Sequence, residues 1–501
     1  MTTSATTTPT STPTAPNPAP GTFLSSVKSS CAAARSAAGL KPNVEAIDSF
    51  LLSLDRAKWD RLKLQHGLSF PLRFPSVVAE VNFLGVLALL NGLSGYRKEF
   101  HGATGCGVYQ NVVRLLFGLY ITGGEGQGSG ELAIGSSNLT AKGLMHEITE
   151  AKVADLLGIS LHKEEPHPSI PGLVVGTRTG PLLEATQLIV QTCSDTGARL
   201  VRAGYPHLAA FLIETLRTAS ASPTASDEEK VDTFLQALVE FLPSFADQHS
   251  ITLFPASADG DGDGEQDPGT DASTSLNINI YIYKRAFFLL HSLVLLLKQK
   301  SDSTTQLIAL PDTTATLPMF VDNVLPTMAV HFGFFCLSGL DSQSQSQSQL
   351  QLGGGLKEPL KGIVDWIRSS STSPTKFTIE ETMDREDQAA VTVKEAGAGA
   401  GAGSDGGIAP KLPKEGPTLS PDQAYLVRAA TLDLASFVVA RAHHLATLSN
   451  TNTNTNTDTK NVEWLAEVNQ VDLDGYLWAV AKDDPELRKV PRFVQKRTIM
   501  F

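Results

Sequence analysis

Apolar residues recur at three- and four-residue intervals through seven stretches of this chain, and that period limits what it can fold into. The stretches span residues 44–64, 151–161, 181–203, 228–242, 283–298, 422–446 and 471–482. Each reads as an amphipathic helix with one face for a core. Strand signals are few: "NINIYIY" (277–283) alternates and fits a short strand. The strand-then-helix rhythm of a parallel α/β fold is missing. The expected fold class is therefore mainly α.

Between the helical stretches lie segments that bury too little apolar surface to offset their ordering entropy. Residues 1–20 are mostly Thr, Ser, Pro and Ala, and "SADGDGDGEQDPGTDAST" (257–274) is acidic and Gly-rich. "DSQSQSQSQLQLGGG" (341–355), "AGAGAGAGSDGG" (396–407) and "NTNTNTNTDT" (450–459) are simple repeats. These read as insertions between helices, not as domain boundaries. The expectation is a disordered Thr/Pro-rich tail over 1–22, then one helical domain over 23–501. Disordered insertions are expected near 255–275, 341–418 and 449–460. Setting such segments aside leaves roughly 370 residues, enough for one large core.

The net charge of -12 and the absence of a basic block interleaved with aromatics argue against a grip on polymeric nucleic acid. Cys31, Cys106, Cys193 and Cys336 form no CxxC pair, which fits free thiols in a reducing compartment. No signal-peptide pattern opens the chain, and "NLT" at Asn138 carries little weight without one. The longest apolar run, "AFFLLHSLVLLL" (286–297), is 12 residues long and holds His291, too short to span a bilayer. A cytoplasmic protein without a membrane partner is expected, its oligomeric state open.

Several motifs fall short. "GGEGQGSG" (123–130) has glycines but no following GKS or GKT, so it reads as a loop. "HKEEPH" (162–167) groups two His and two Glu, but in a Pro-rich stretch read as loop, which does not hold zinc ligands rigidly. His443 and His444 fall late in a helix, where histidine favours the C-terminal dipole. Neither GxSxG nor HExxH occurs, and neither metal nor cofactor is expected.

One carboxylate stands out. In "PMFVDNVLPTMAVHFG" (318–333), Asp322 sits among apolar residues, where it needs a partner or a cation. It can cap a helix running from Asn323, with Pro326 in the first turn, or it can meet a ligand; the two roles can coexist.

Five stretches, in order, carry a resemblance. They are "LNGLSGY" (90–96), "LPSFAD" (242–247), "IYKRA" (282–286), "MFVDNVLP" (319–326) and "LDGYLWAVAK" (473–482), the last followed by the basic tail "RKVPRFVQKRTIMF" (488–501). Together they resemble the queuosine salvage protein family, the queuosine 5′-phosphate N-glycosylases, from about Trp59 to Phe501. The resemblance implies a helical domain similar to helix-hairpin-helix DNA glycosylases. It also implies hydrolysis of the bond between queuine and ribose 5-phosphate, which frees queuine for reinsertion into tRNA by a separate enzyme.

The resemblance assigns Asp322 and Asp474 as the carboxylates and Phe320 as an aromatic lining the queuine pocket. His66, Lys284, Tyr476 and Arg497 follow as substrate contacts: His66 to the base, Lys284 to phosphate or sugar oxygens, Arg497 to phosphate. Breaking an N-glycosidic bond builds positive charge on the ribose, which a nearby carboxylate stabilises. A 7-deazapurine lacks the ring nitrogen through which ordinary purines leave protonated, so other hydrogen bonds must assist it. The 5′-phosphate calls for Lys or Arg, and the flat base for an aromatic face. Plainer readings stand beside these: Asp474 as a solvated helix residue, His66 at the surface or in the core, Lys284 as a snorkelling helix lysine.

Two departures matter. Ala479 stands where family members often carry an acid or amide credited with catalysis, and Gly475 where an aromatic is common. The first motif is also less aromatic, with Gly92 and Leu93 after Asn91. The alternatives are therefore a glycosylase for another nucleotide, or a non-catalytic binding protein for queuine or a nucleotide.

Overall fold

The computed structural model describes residues 15–63, 72–124, 135–167, 169–253, 276–300, 309–337, 412–451 and 462–501. The chain is mainly helical, with sixteen α-helices among these residues and only short strands. The first part comprises α1 (Phe23–Ala37), α2 (Val44–Ser53), α3 (Arg56–Leu62), α4 (Val77–Leu90), α5 (Arg97–Thr104), α6 (Val108–Thr122), α7 (Ala141–His146) and α8 (Glu150–Leu157). The middle holds α9 (Pro181–Ala203), α10 (Leu208–Ala219) and α11 (Asp227–Phe241), and then α12 (Lys284–Gln299), α13 (Thr313–Thr316) and α14 (Val324–His331). Two helices close the series, α15 (Pro421–Thr451) and α16 (Gln470–Asp483). Among the described residues no single helix is long and apolar enough to cross a membrane.

Helix starts follow local chemistry. Asn43, Asp55, Ser76 and Asn469 each accept a backbone N–H of the first turn, and Ser226 with Glu229 closes a capping box on α11. Asp55 also explains why residues 44–64 are not one helix. Leu54 is extended, the chain breaks, and Asp55 caps a new helix. The long helix expected over 422–446 runs on to Thr451.

The apolar run 286–297 becomes α12, buried on nearly every face and packed on α4. Both helices lack a polar side and form the centre of the core. α9 is the opposite case: Leu188, Ile189, Thr192, Cys193, Thr196 and Leu200 face inward at helical spacing. Gly197 lets α7 approach closely, since a Cβ there would lie 2.5 Å from the Met145 nitrogen.

The strands pair two by two. β1 (Leu40–Pro42) pairs antiparallel with β6 (Phe335–Leu337). β4 (Gln248–Leu253) pairs antiparallel with β5 (Leu276–Tyr281), which contains most of the alternating stretch read as a strand. β2 (His162–Pro166) and β3 (Val174–Arg178) form a hairpin exposed along its whole length. The "HKEEPH" stretch is thus largely strand, not loop: cross-strand hydrogen bonds hold its backbone. β7 (Glu415–Thr418) pairs parallel with β8 (Arg492–Val494).

Two expectations of disorder need correction. Residues 15–22 lie on the body: Gln248 donates to the carbonyl of Ala15, and Tyr281 to that of Pro16. Residues 412–418, placed at the edge of an insertion, include β7, held by β8. The remaining parts of the expected insertions lie outside the described residues, apart from the end of α15. Cys31, Cys106 and Cys193 are free thiols.

Candidate functional site

Asp322 stands one residue before the cap of α14. Its Oδ1 accepts from the Val324 N–H at 2.7 Å, so it closes the turn into a helix that begins at Val324, with Asn323 at the cap position. Its Oδ2 lies 3.8 Å from the Lys284 ammonium. One oxygen of the carboxylate thus closes the turn, and the other faces the lysine.

Lys284 opens α12, just after Tyr283, which adopts a left-handed conformation with φ of 50°. That bend turns the lysine inward. Its Nζ donates to the Asn91 carbonyl at 2.9 Å and to Asn91 Oδ1 at 3.3 Å. Lys284 is buried and does not snorkel. Burial pulls its pKa down, and the charge of Asp322 partly restores it.

Asp474 lies on α16 and is also buried, not solvated. Its Oδ2 accepts the Phe320 N–H at 2.9 Å. Burial pushes its carboxyl well above the usual range; the Phe320 N–H and Lys284 act against this, while the charge of Asp322 adds to it. One ammonium thus shares a buried region with two carboxylates. A proton on Asp474 leaves the three groups balanced. The Phe320 ring is buried, 5.7 Å from the His291 ring.

A buried ion pair holds the backbone at Val321. Arg428 on α15 donates from Nε to the Val321 carbonyl at 3.1 Å. Its Nη atoms meet both oxygens of Asp247, at 3.0 and 2.5 Å. Both side chains are essentially inaccessible. A fork-to-fork pair is the geometry that offsets such desolvation.

The structure thus brings together Asp322, Asp474, Lys284 and Phe320. Tyr476 points elsewhere: two residues along α16 from Asp474, it faces away and packs, tilted, on Trp59 at 4.9 Å between centroids. Burial pushes its phenol up to about 12. Arg497 is exposed, in the left-handed region at φ 60°, and its backbone N–H donates to Tyr96 Oη at 2.9 Å. A side chain in solvent is no partner for the buried cluster. His66 lies outside the described residues.

The motif around Asn91 has a structural reason for its glycines. A Cβ on Gly92 would lie 1.8 Å from the Ile499 carbonyl oxygen, and one on Gly95 1.9 Å from that of Gln495. The Ser94 N–H donates to the Phe501 carbonyl at 2.8 Å. Residues 495–501 therefore press directly on the loop that supplies Asn91 to Lys284. Asn91, Arg428 and Asp247 received no role from the sequence. Their signal was present, as polar or charged residues within otherwise apolar stretches.

Chemically, this arrangement offers one acid whose proton is held by burial, one carboxylate beside an ammonium, and a buried aromatic ring. Ala479, 1% exposed, adds no third carboxylate. No protein-family model matches the chain, and no curated protein matches it.

Proposed function

We propose that this chain is an N-glycosidase that hydrolyses queuosine 5′-phosphate, releasing queuine and ribose 5-phosphate. The observation that carries the reading is the buried grouping of Asp322, Asp474 and Lys284, drawn from three of the five motif stretches. On this reading the helical frame is of the helix-hairpin-helix glycosylase kind.

Each group has a task. Asp474, whose burial favours the protonated form, donates its proton to the departing base, which lacks the ring nitrogen through which ordinary purines leave protonated. Asp322 stabilises the positive charge that grows on the ribose as the bond breaks. Lys284 fixes the Asp322 carboxylate and contacts sugar oxygens. Water supplies hydroxide to the anomeric carbon, and its remaining proton returns to Asp474. Phe320 packs against the base. The product belongs to tRNA modification, the substrate is a small nucleotide, and no polymer is gripped.

The reading is tested by incubating purified protein with queuosine 5′-phosphate and separating the products. Free queuine and ribose 5-phosphate in equal amounts are expected. Saturable binding of the nucleotide without release would replace it with the second reading, a binding protein. Buried Ala479 at the position of a family carboxylate favours that alternative.

A further inference from the structure

Asp247, the residue before β4, is bonded to two different parts of the candidate site, through its main chain on one side and its carboxylate on the other. Its backbone carbonyl accepts the N–H of Ile282 at 3.0 Å and that of Tyr283 at 3.5 Å. The next residue, Gln248, accepts the Tyr283 hydroxyl at 2.6 Å. Tyr283 is in the left-handed region, where a residue other than glycine stays only if its surroundings hold it. Asp247 and Gln248 supply that hold, and the bend they secure sends Lys284 inward.

The carboxylate of Asp247 reaches the other way. Both its oxygens meet Arg428, whose Nε donates to the Val321 carbonyl, one residue before Asp322. The Tyr425 ring lies beneath the same guanidinium, 5.3 Å from its carbon to the ring centroid. A path of covalent and hydrogen bonds thus runs from Lys284 through Tyr283, Asp247, Arg428 and Val321 to Asp322. It joins three of the motif stretches, 242–247, 282–286 and 319–326. At its two ends, the Lys284 ammonium and Asp322 Oδ2 stand 3.8 Å apart, beyond hydrogen-bond length. Charge attraction alone has no preferred direction, so the frame behind the pair sets its geometry. A buried ion pair stabilises a fold no better than apolar residues of similar volume. Apolar residues, however, could not bond the Val321 carbonyl.

We infer that Asp247 and Arg428 are positioning residues that set the separation of Lys284 and Asp322. The catalytic consequence rests on the N-glycosidase reading; the geometric one does not.

The experiment is a double-mutant cycle between Lys284→Met and Asp322→Asn, read by urea denaturation, in the otherwise wild-type chain and in Arg428→Lys. Lysine keeps the positive charge, but its one nitrogen cannot span Asp247 and the Val321 carbonyl as the guanidinium does. Coupling between Lys284 and Asp322 is expected in the wild-type background and lost in Arg428→Lys. Equal coupling in both backgrounds, or none in the wild type, overturns the inference. Where Arg428→Lys fails to fold, Asp247→Asn with Arg428→Met carries the same cycle, because neither charge is then left unpaired. A kinetic arm uses queuosine 5′-phosphate. Arg428→Lys lowers kcat by about 10²-fold with KM nearly unchanged, as for a misplaced group that acts in the transition state. Added to Asp322→Asn, it lowers kcat no further; a full second loss there also overturns the positioning role. A wild-type chain that hydrolyses nothing, with coupling lost in Arg428→Lys, removes the N-glycosidase reading and leaves the positioning role in place.

Discussion

The Phe320 N–H donates to the Asp474 carboxylate at 2.9 Å, between residues 154 positions apart. One hydrogen bond thus ties the segment leading into α14 to a turn of α16. It places an aromatic and an acid at fixed separation. Burial disfavours the charged form of that carboxylate and raises its pKa.

That shift makes stability depend on pH with a definite sign. Above the ordinary value of 3.8 the unfolded chain releases the Asp474 proton while the folded chain keeps it. The folded state then binds more protons, so stability falls as pH rises from the unfolded value through the folded one. Asp474→Asn has no such proton. The urea midpoint of the wild type is expected to drop relative to that of Asp474→Asn as pH rises from the ordinary carboxyl value of 3.8 through the raised folded one. Midpoints that stay parallel across this range would show an ordinary carboxylate.

Asp322→Asn keeps an oxygen for the Val324 N–H and removes the charge facing Lys284. Under the proposed chemistry, single-turnover release of queuine slows by about 10²- to 10³-fold. A cap exchange alone would change stability little, since Asn caps as well as Asp. The buried ammonium adds to this, as it loses a charged neighbour and keeps only Asn91, so a loss of about 1–3 kcal/mol is expected. Unaltered turnover would remove Asp322 from the mechanism and leave Asp474.

For the buried pair behind Val321, breaking one partner is worse than removing both. Asp247→Asn or Arg428→Met alone is expected to cost about 3–5 kcal/mol, because each strands a buried charge or donor set. The double variant should cost clearly less than the sum. Chemical denaturation of all four proteins gives the coupling energy. Additive losses would mean that the two residues act independently.

Gly92→Ala places a methyl where the Ile499 carbonyl already sits. The loop and the 495–501 segment must separate, at a cost of about 1–3 kcal/mol or more. Gly102→Ala is the control: within α5 its Cβ meets only the Leu412 side chain at 3.3 Å, and a helical alanine gains up to about 1 kcal/mol. Thermal melts of the two variants should move in opposite directions.

Helix was legible wherever apolar spacing was long and regular, as in α9, whose bounds coincide with the stretch read from the sequence. Breaks were less so. The split between α2 and α3 turns on Asp55, a capping residue that periodicity treats as one more polar position. β4 escaped notice because Gln248–Leu253 has only two apolar residues, Ile251 and Leu253, too short an alternation to stand out before its pairing with β5 is known.

At the site, Asp322 was legible because a carboxylate inside an apolar stretch is costly. The same argument applies to Arg428 in "AYLVRAATLDL" and Asp247 in "LPSFAD", yet nothing in the sequence says that the two meet across 181 positions. Tyr476 shows the converse. It shares a motif with Asp474, but two residues along a helix turn a side chain to the other side.

The clasp of residues 495–501 on the Gly92–Gly95 loop also sets an order of events during synthesis. Tyr96 waits for Arg497, 401 positions later, before that hydrogen bond can form. A ribosome adding about 5–20 residues each second needs tens of seconds to supply it. Until then the Asn91 loop lacks its backing, and Lys284 lacks a fixed acceptor. The buried cluster of Asp322, Lys284 and Asp474 is therefore among the last parts of the chain to be completed, long after α4 and α12 have emerged to bury one another.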